Sequence, residues 1–310
     1  MEVIRGIQNI KPHHRGCVAT IGNFDGVHLG HQAILEQVKD KAKQLQVPSM
    51  LICFEPLPKE YFGHAPARLT RFRERVELLS ELGIDLVLCF RFDERTRALT
   101  VAEFIGMLTN DISIKALFVG DDFQFGNDRS GGYQDLLDAG EIHNFEVTNL
   151  HTLVYESVRV SSTRIRESLA AGAFDEAEEM LGRPYSVTGK VVYGRQLGRT
   201  LGAATANIQL HRYRAAVDGV YAVEVEGLDR TYQGVANVGI RPTLDEATLK
   251  PILEVHLFDF SQTVYGKTVK VVFRKKIREE KKFKGLDELK TAIAQDVIVA
   301  RAYFEAKHPS

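Results

Sequence analysis

Apolar and polar positions follow two different rhythms along this chain. Up to about residue 182, short apolar runs alternate with stretches whose apolar residues recur at helical spacing. The runs lie at 17–21, 50–54, 85–90, 115–120 and 145–150 and predict buried strands. Between them, Leu29, Ala33, Ile34, Val38, Ala42 and Leu45 mark one face of an amphipathic helix. Phe72, Val76, Leu79 and Leu82 mark another. Such alternation predicts a parallel sheet covered by helices, with ligands at the carboxyl ends of its strands. After Pro184 strand-like runs follow one another directly, at 186–193, 219–226, 231–238, 252–258 and 268–274. Turn residues separate them, which predicts an antiparallel sheet or small barrel. Leu286, Leu289, Ile293, Val297 and Ala300 then predict a closing helix. The expected boundary lies near Leu181-Gly182-Arg183-Pro184, giving an α/β domain over 1–182 and a β-barrel domain over 183–310.

Length supports the division, since 310 residues are many for one core. With 44% hydrophobic and 26% charged residues the composition is that of an ordinary globular protein. A net charge of −1 offers no electrostatic case for nucleic acid or an anionic membrane as partner. Met1-Glu2-Val3-Ile4-Arg5 carries charges where a signal peptide needs an apolar core, and no apolar run approaches a membrane span. Cys17, Cys53 and Cys89 lie in or beside apolar runs and match no zinc spacing, so buried reduced thiols are expected. The expectation is a cytoplasmic enzyme with small-molecule partners, acting as a monomer or weak oligomer.

Candidate chemistry concentrates first in Gly22-Asn23-Phe24-Asp25-Gly26-Val27-His28-Leu29-Gly30-His31. This string lies where the first apolar run hands over to the first helix. Residues three apart share a helix face, so His28 and His31 stand together. A helix N-terminus offers unpaired amides and a positive dipole end, and glycines at 22, 26 and 30 let a phosphate approach the backbone. The string resembles the HxGH signature of nucleotidyltransferases, which implies ATP bound between the histidines and attack on its α-phosphate. Histidine N–H donors and helix amides suit the charge that builds in such a reaction.

Gly120-Asp121-Asp122-Phe123-Gln124-Phe125-Gly126 follows another predicted strand at its carboxyl end. Aspartates there can bind a ribose or a metal, or simply make a surface turn. Arg159-Val160-Ser161-Ser162-Thr163-Arg164-Ile165-Arg166 reads either as an ordinary helix cap or as an anion clamp. In this order the three motifs resemble the N-terminal half of bacterial bifunctional riboflavin kinase/FAD synthetases. The resemblance implies a Rossmann-like nucleotidyltransferase domain that acts as FMN adenylyltransferase. It implies that Gly22, Asn23, Phe24, Asp25, His28 and His31 hold ATP, with Asp122 at the adenosine end. Arg159, Ser162 and Arg166 would contact phosphates. Gln124 departs from the arginine common in that family.

The second half holds Gly194-Arg195-Gln196-Leu197-Gly198-Arg199-Thr200-Leu201-Gly202, then Ala203-Ala204-Thr205-Ala206-Asn207. No Gly-Lys-Ser/Thr follows, so this is not a Walker loop. In an extended chain Thr205 and Asn207 can reach one hard metal ion. Glu254 and His256 share one face of a predicted strand, which is by default a wet face. Gly234 to Thr243 precedes them, and Arg278-Glu279-Glu280-Lys281-Lys282-Phe283 follows. The whole stretch looks like the riboflavin kinase domain of the same family, a six-stranded antiparallel barrel with a C-terminal helix. That resemblance implies Mg²⁺ on Thr205 and Asn207, and Glu254 as general base for the ribityl hydroxyl. It also implies Gly194 and Arg199 over the phosphates, and Arg278, Lys281 and Phe283 over the flavin. ATP, riboflavin and FMN would be the substrates. The family usually has Phe-Pro where this chain has Ala203-Ala204. A weakened kinase site is therefore an alternative, as is a nucleotidyltransferase for another phosphorylated acceptor.

Overall fold

In the computed structural model, residues 1–120, 123–150, 154–155, 158–193, 205–212, 214–241 and 250–307 are described. The predicted runs of the first half become β2 (Val18–Ile21), β3 (Ser49–Glu55), β4 (Leu86–Arg91), β5 (Ala116–Gly120) and β6 (Glu146–Leu150). A strand absent from the expectation, β1 (Glu2–Arg5), joins β4 at the edge. All pairings are parallel and the order is β1-β4-β3-β2-β5-β6. Helices α1 (Leu29–Leu45), α2 (Pro58–Tyr61), α3 (Phe72–Glu81), α4 (Glu94–Arg97), α5 (Val101–Gly106) and α6 (Tyr133–His143) fill the connections.

Both faces of this sheet are dry, as an all-parallel sheet requires. Ala19, Ile21, Met50, Ile52, Leu86 and Leu88 point into one core, with Phe104 of α5 and Leu136 of α6. Their neighbours Leu51, Cys53, Val87 and Cys89 point the other way, toward Leu35 of α1 and Leu79 of α3. Alternation with period two thus serves two cores at once. The three cysteines are buried free thiols, and burial pushes the Cys17 thiol up to about 12. Within α1 the buried residues are Leu35, Val38 and Ala42, whereas Leu45, counted on the apolar face, is 43% exposed. It is the last residue of the helix, past the reach of the sheet.

After two short strands, β7 (Val154–Tyr155) and β8 (Val158–Arg159), come α7 (Ser162–Ala170) and α8 (Phe174–Leu181). Then β9 (Ser186–Val192), β10 (Thr205–Gln209), β11 (Gly219–Glu226), β12 (Tyr232–Arg241), β13 (Lys250–Leu257) and β14 (Thr268–Arg278) close into an antiparallel barrel. Their order around it is β10-β13-β12-β11-β14-β9. The C-terminal helix, Leu286–Lys307, packs Ala300 and Phe304 on Val220, Ala222, Val235 and Phe258. Its first turn is solvated, so the predicted face holds only in the second half, and Leu286 is exposed.

The chain divides into two compact units, Met1–Pro66 with Phe72–Ser161, and Ala67–Arg71 with Ser162–Ser310. The packing boundary precedes the expected functional one because α7 and α8 belong to the second unit. Phe174 of α8 meets the rings of Tyr221 and Phe273 at 5.5 and 6.4 Å. In that unit the 67–71 segment is held by arginines. The Arg212 guanidinium donates to the Arg68 and Leu69 carbonyls at 2.9 and 3.2 Å, and Arg166 donates to the Ala67 carbonyl at 2.6 Å.

Candidate active sites

The first site begins where β2 leaves the sheet. The Gly22 amide donates to the Ile52 carbonyl at 3.0 Å, and the chain then turns sharply to reach α1. Phe24, Gly26 and Val27 all take positive φ, at 49°, 89° and 43°. A β-branched residue such as valine rarely does so, and strain of this kind persists only where packing enforces it. Here Phe24 and Val27 are buried against Leu35, Cys53, Leu79 and Cys89. The Gln32 side chain also donates to the Val27 carbonyl at 2.9 Å.

The turn delivers His28 to the N-cap of α1, where Nδ1 accepts the His31 amide at 3.3 Å. With Nδ1 accepting, the neutral ring carries its proton on Nε2 and acts there as a donor. The His28 and His31 rings stack with centroids 3.6 Å apart and planes 17° apart. Phe24 backs His31 at 4.6 Å. A Cβ at position 30 would stand 3.2 Å from the His28 ring and press on it. Asp25 is buried, and Asn23 is exposed. The two imidazoles thus lie together at the positive end of α1, an arrangement suited to an anion.

Arg75 of α3 also reaches this loop. The buried guanidinium donates to the Asn23 carbonyl at 2.5 Å and lies 3.4 Å from a Glu55 carboxylate oxygen. Nothing in the sequence distinguished it, because it sits in a run of alternating charges that reads as a solvated helix face.

The second site is built by strand register. Asn207 of β10 and Asn237 of β12 both stand opposite Glu254 of β13, so three polar residues line up across adjacent strands. Thr205, two residues from Asn207, shares that face and pairs with His256. The flanking Leu253 and Val255 are buried on the opposite face. Asn207 is buried, and its side-chain oxygen has no hydrogen-bond partner among the described residues. A buried amide oxygen beside a hydroxyl and a carboxylate is a hard, oxygen-only donor set of the kind Mg²⁺ takes. Asn237 joins this candidate set through its strand partner Glu254, a pairing that the sequence alone does not display.

Arg278, Lys281 and Phe283 come together in this unit. The Arg278 guanidinium makes two bonds of 2.8 Å to Asp296 of the C-terminal helix. It also lies 5.6 Å from the Phe283 ring centroid, with the Lys281 ammonium 4.9 Å from the same ring. Ser162 begins α7, and Arg166 lies one turn further on, bonded to Ala67. Asp122, Gly194, Arg199, Ala203 and Ala204 lie outside the described residues, as does the side chain of Arg159.

A further cluster, Glu2, His13 and His14, has the makings of a metal centre but not the protonation. His14 Nδ1 accepts the Lys11 amide at 3.0 Å, so the neutral ring carries its proton on Nε2, 3.1 Å from Glu2. A protonated nitrogen has no lone pair for a cation. The cluster instead clasps β1, and His14 and then His13 hold the Glu2 carboxyl below its usual range.

Comparison with known proteins assigns both halves. The FAD synthetase family model matches residues 10–164, and the riboflavin kinase family model matches residues 181–304. A bifunctional riboflavin kinase/FMN adenylyltransferase of Pseudomonas fluorescens is 48% identical over 305 residues, covering 97% of each chain. This chain belongs to the bifunctional riboflavin kinase/FMN adenylyltransferase family. A second member, from Escherichia coli K12, is 47% identical over the whole of both chains. A crystal structure described as a macrolide-efflux protein from Streptococcus pneumoniae is 31% identical, with a TM-score of 0.79. It covers 96% of this chain and 98% of its own. Among the described residues here, no helix is long and apolar enough to cross a membrane.

Proposed function

We infer that this chain converts riboflavin to FMN in its C-terminal domain, residues 183–310, and FMN to FAD in its N-terminal domain, residues 1–182. ATP serves both steps. In the first, the riboflavin 5′-hydroxyl attacks the γ-phosphorus of ATP and ADP leaves. Glu254 takes the hydroxyl proton, a contribution on the order of 10²–10⁴-fold in rate. Thr205 and Asn207 would hold Mg²⁺, and the orphaned Asn207 oxygen is the observation that supports it. When bound, the ion neutralises charge on the transferring phosphoryl group. Arg278, Lys281 and Phe283 form the flavin side of the site, with Gly194 and Arg199 over the phosphates.

In the second step a phosphate oxygen of FMN attacks the α-phosphorus of ATP and pyrophosphate leaves. Gly22, Asn23, Phe24 and Asp25 shape the loop, while His28 and His31 stabilise charge on the α-phosphate and the departing pyrophosphate. Asp122 contacts the adenosine, and Arg159, Ser162 and Arg166 the phosphates. The stacked pair His28 and His31 at the α1 N-terminus carries this reading. We place the enzyme in the cytoplasm, as a monomer or weak oligomer.

Chromatography of the flavins formed from riboflavin, and separately from FMN, with ATP and Mg²⁺ tests the proposal. FAD from both substrates is expected. FAD from FMN alone would identify an adenylyltransferase whose kinase is disabled at Ala203-Ala204, where the resemblance calls for Phe-Pro. No FAD from either would overturn the reading.

A further inference from the structure

Arg75 is only 1% exposed, and its guanidinium is shared between a carboxylate, Glu55, and a backbone carbonyl. Its Nη1 donates to an uncharged acceptor, the Asn23 carbonyl at 2.5 Å, while Nη2 donates to the Glu55 carboxylate at 3.4 Å. The guanidinium also covers the Phe72 ring at 5.5 Å, and its Nε has no hydrogen-bond partner among the described residues. A charge taken out of water is costly unless it is fully paired. Besides the Glu55 carboxylate, Arg75 holds one peptide of the loop, the one between Asn23 and Phe24. Because that peptide is planar and trans, drawing its carbonyl toward Arg75 turns the Phe24 N–H the opposite way. Phe24 is the first of three positive-φ residues, with Gly26 and Val27, in the turn that leads to His28.

We propose that Arg75 is the positioning residue of the triphosphate-binding loop. It pins the Asn23 carbonyl, sets the orientation of the next peptide, and so fixes the turn that presents His28 and His31. Its charge lies beside the Asn23 end of the loop and is offset only in part by the Glu55 carboxylate at 3.4 Å. The inference rests on reading this site as the adenylyltransferase. Glutamine keeps one amide donor group but loses the charge and the second arm of the fork. Lysine keeps the charge but lacks the planar fork that spans a carbonyl and a carboxylate.

The test is steady-state kinetics of both reactions in the full chain carrying Arg75→Gln or Arg75→Lys. The KM for ATP in FAD formation should rise about tenfold or more in Arg75→Gln and roughly two- to fivefold in Arg75→Lys. The KM for FMN, and FMN formation from riboflavin by the same molecules, should stay within about twofold. A merely structural role would move both KM values together with the melting temperature. An unchanged ATP KM in folded variants, or a joint rise of both KM values, overturns the proposal. If Arg75→Gln does not fold, Arg75→Lys decides on the same ratio. Failure of the unsubstituted chain to make FAD from FMN would overturn the site reading itself. Normal FAD formation that ignores Arg75 would overturn only its positioning role.

Discussion

His28 commits one ring nitrogen to capping α1 and thereby sets the proton on the other. Alanine there would remove both cap and donor. His28→Asn keeps a good capping side chain and removes only the imidazole. We expect FAD formation to be abolished in His28→Asn and in His31→Ala, with FMN formation and melting temperature close to those of the unsubstituted chain. Continued FAD synthesis at the normal rate would refute the assignment. In the barrel, Glu254 stands between two asparagines and is accessible enough to meet a substrate hydroxyl. Glu254→Ala should lower FMN formation by about a hundredfold or more with the fold intact, as expected for a general base. A mild effect would leave it a polar wall residue.

Strands and helices place these side chains by register and by caps. Neither Thr205 nor Asn207 is informative alone; β10 must pair with β13 in one register before Asn207 meets Glu254. A slip of one residue would turn the whole set into the barrel. Helix α5 shows how a local signal suffices elsewhere. Thr100 caps it, and the Glu103 carboxylate accepts from the Thr100 amide and hydroxyl at 2.8 Å each. The Thr100 amide and then its hydroxyl hold the Glu103 carboxyl below its usual range. A folded value below the unfolded one stabilises above the ordinary carboxylate range and loses that stabilisation as pH falls through the folded value. Melting of the parent and of Glu103→Gln across a pH series should therefore differ at neutral pH and converge in acid. A gap that persists in acid would contradict this.

At the scale of the molecule, the product of one unit is the substrate of the other. Riboflavin and ATP should therefore yield FMN first and FAD later in a single incubation, the time course behind the chromatographic test above. The two halves were legible from the change of rhythm near Pro184, and the parallel and antiparallel sheets followed from it. Less legible was the course of the chain. Ala67–Arg71 belongs to the second unit although it lies between elements of the first, through contacts such as the arginines that bind its carbonyls and the bond from Arg71 to the Thr188 carbonyl. The edge strand β1 escaped because four residues carry too little period to detect. Likewise β10 escaped because its Thr-Ala-Asn-Ile-Gln reads as neither apolar run nor clear alternation.

Local physics in the sequence determined the element types, both barrel and sheet classes, the glycine-rich turn into α1 and the helical spacing of His28 and His31. Each depends on neighbours a few residues apart, which a sequence displays directly. Tertiary structure alone decided what depends on distant partners. Examples are the burial of Arg75 against a loop 52 residues away, the alignment of Asn207 with Glu254, and the solvation of Leu45 and Leu286. Burial and register are properties of the assembled layers. The same charged or apolar residue is core, site or surface according to what folds onto it.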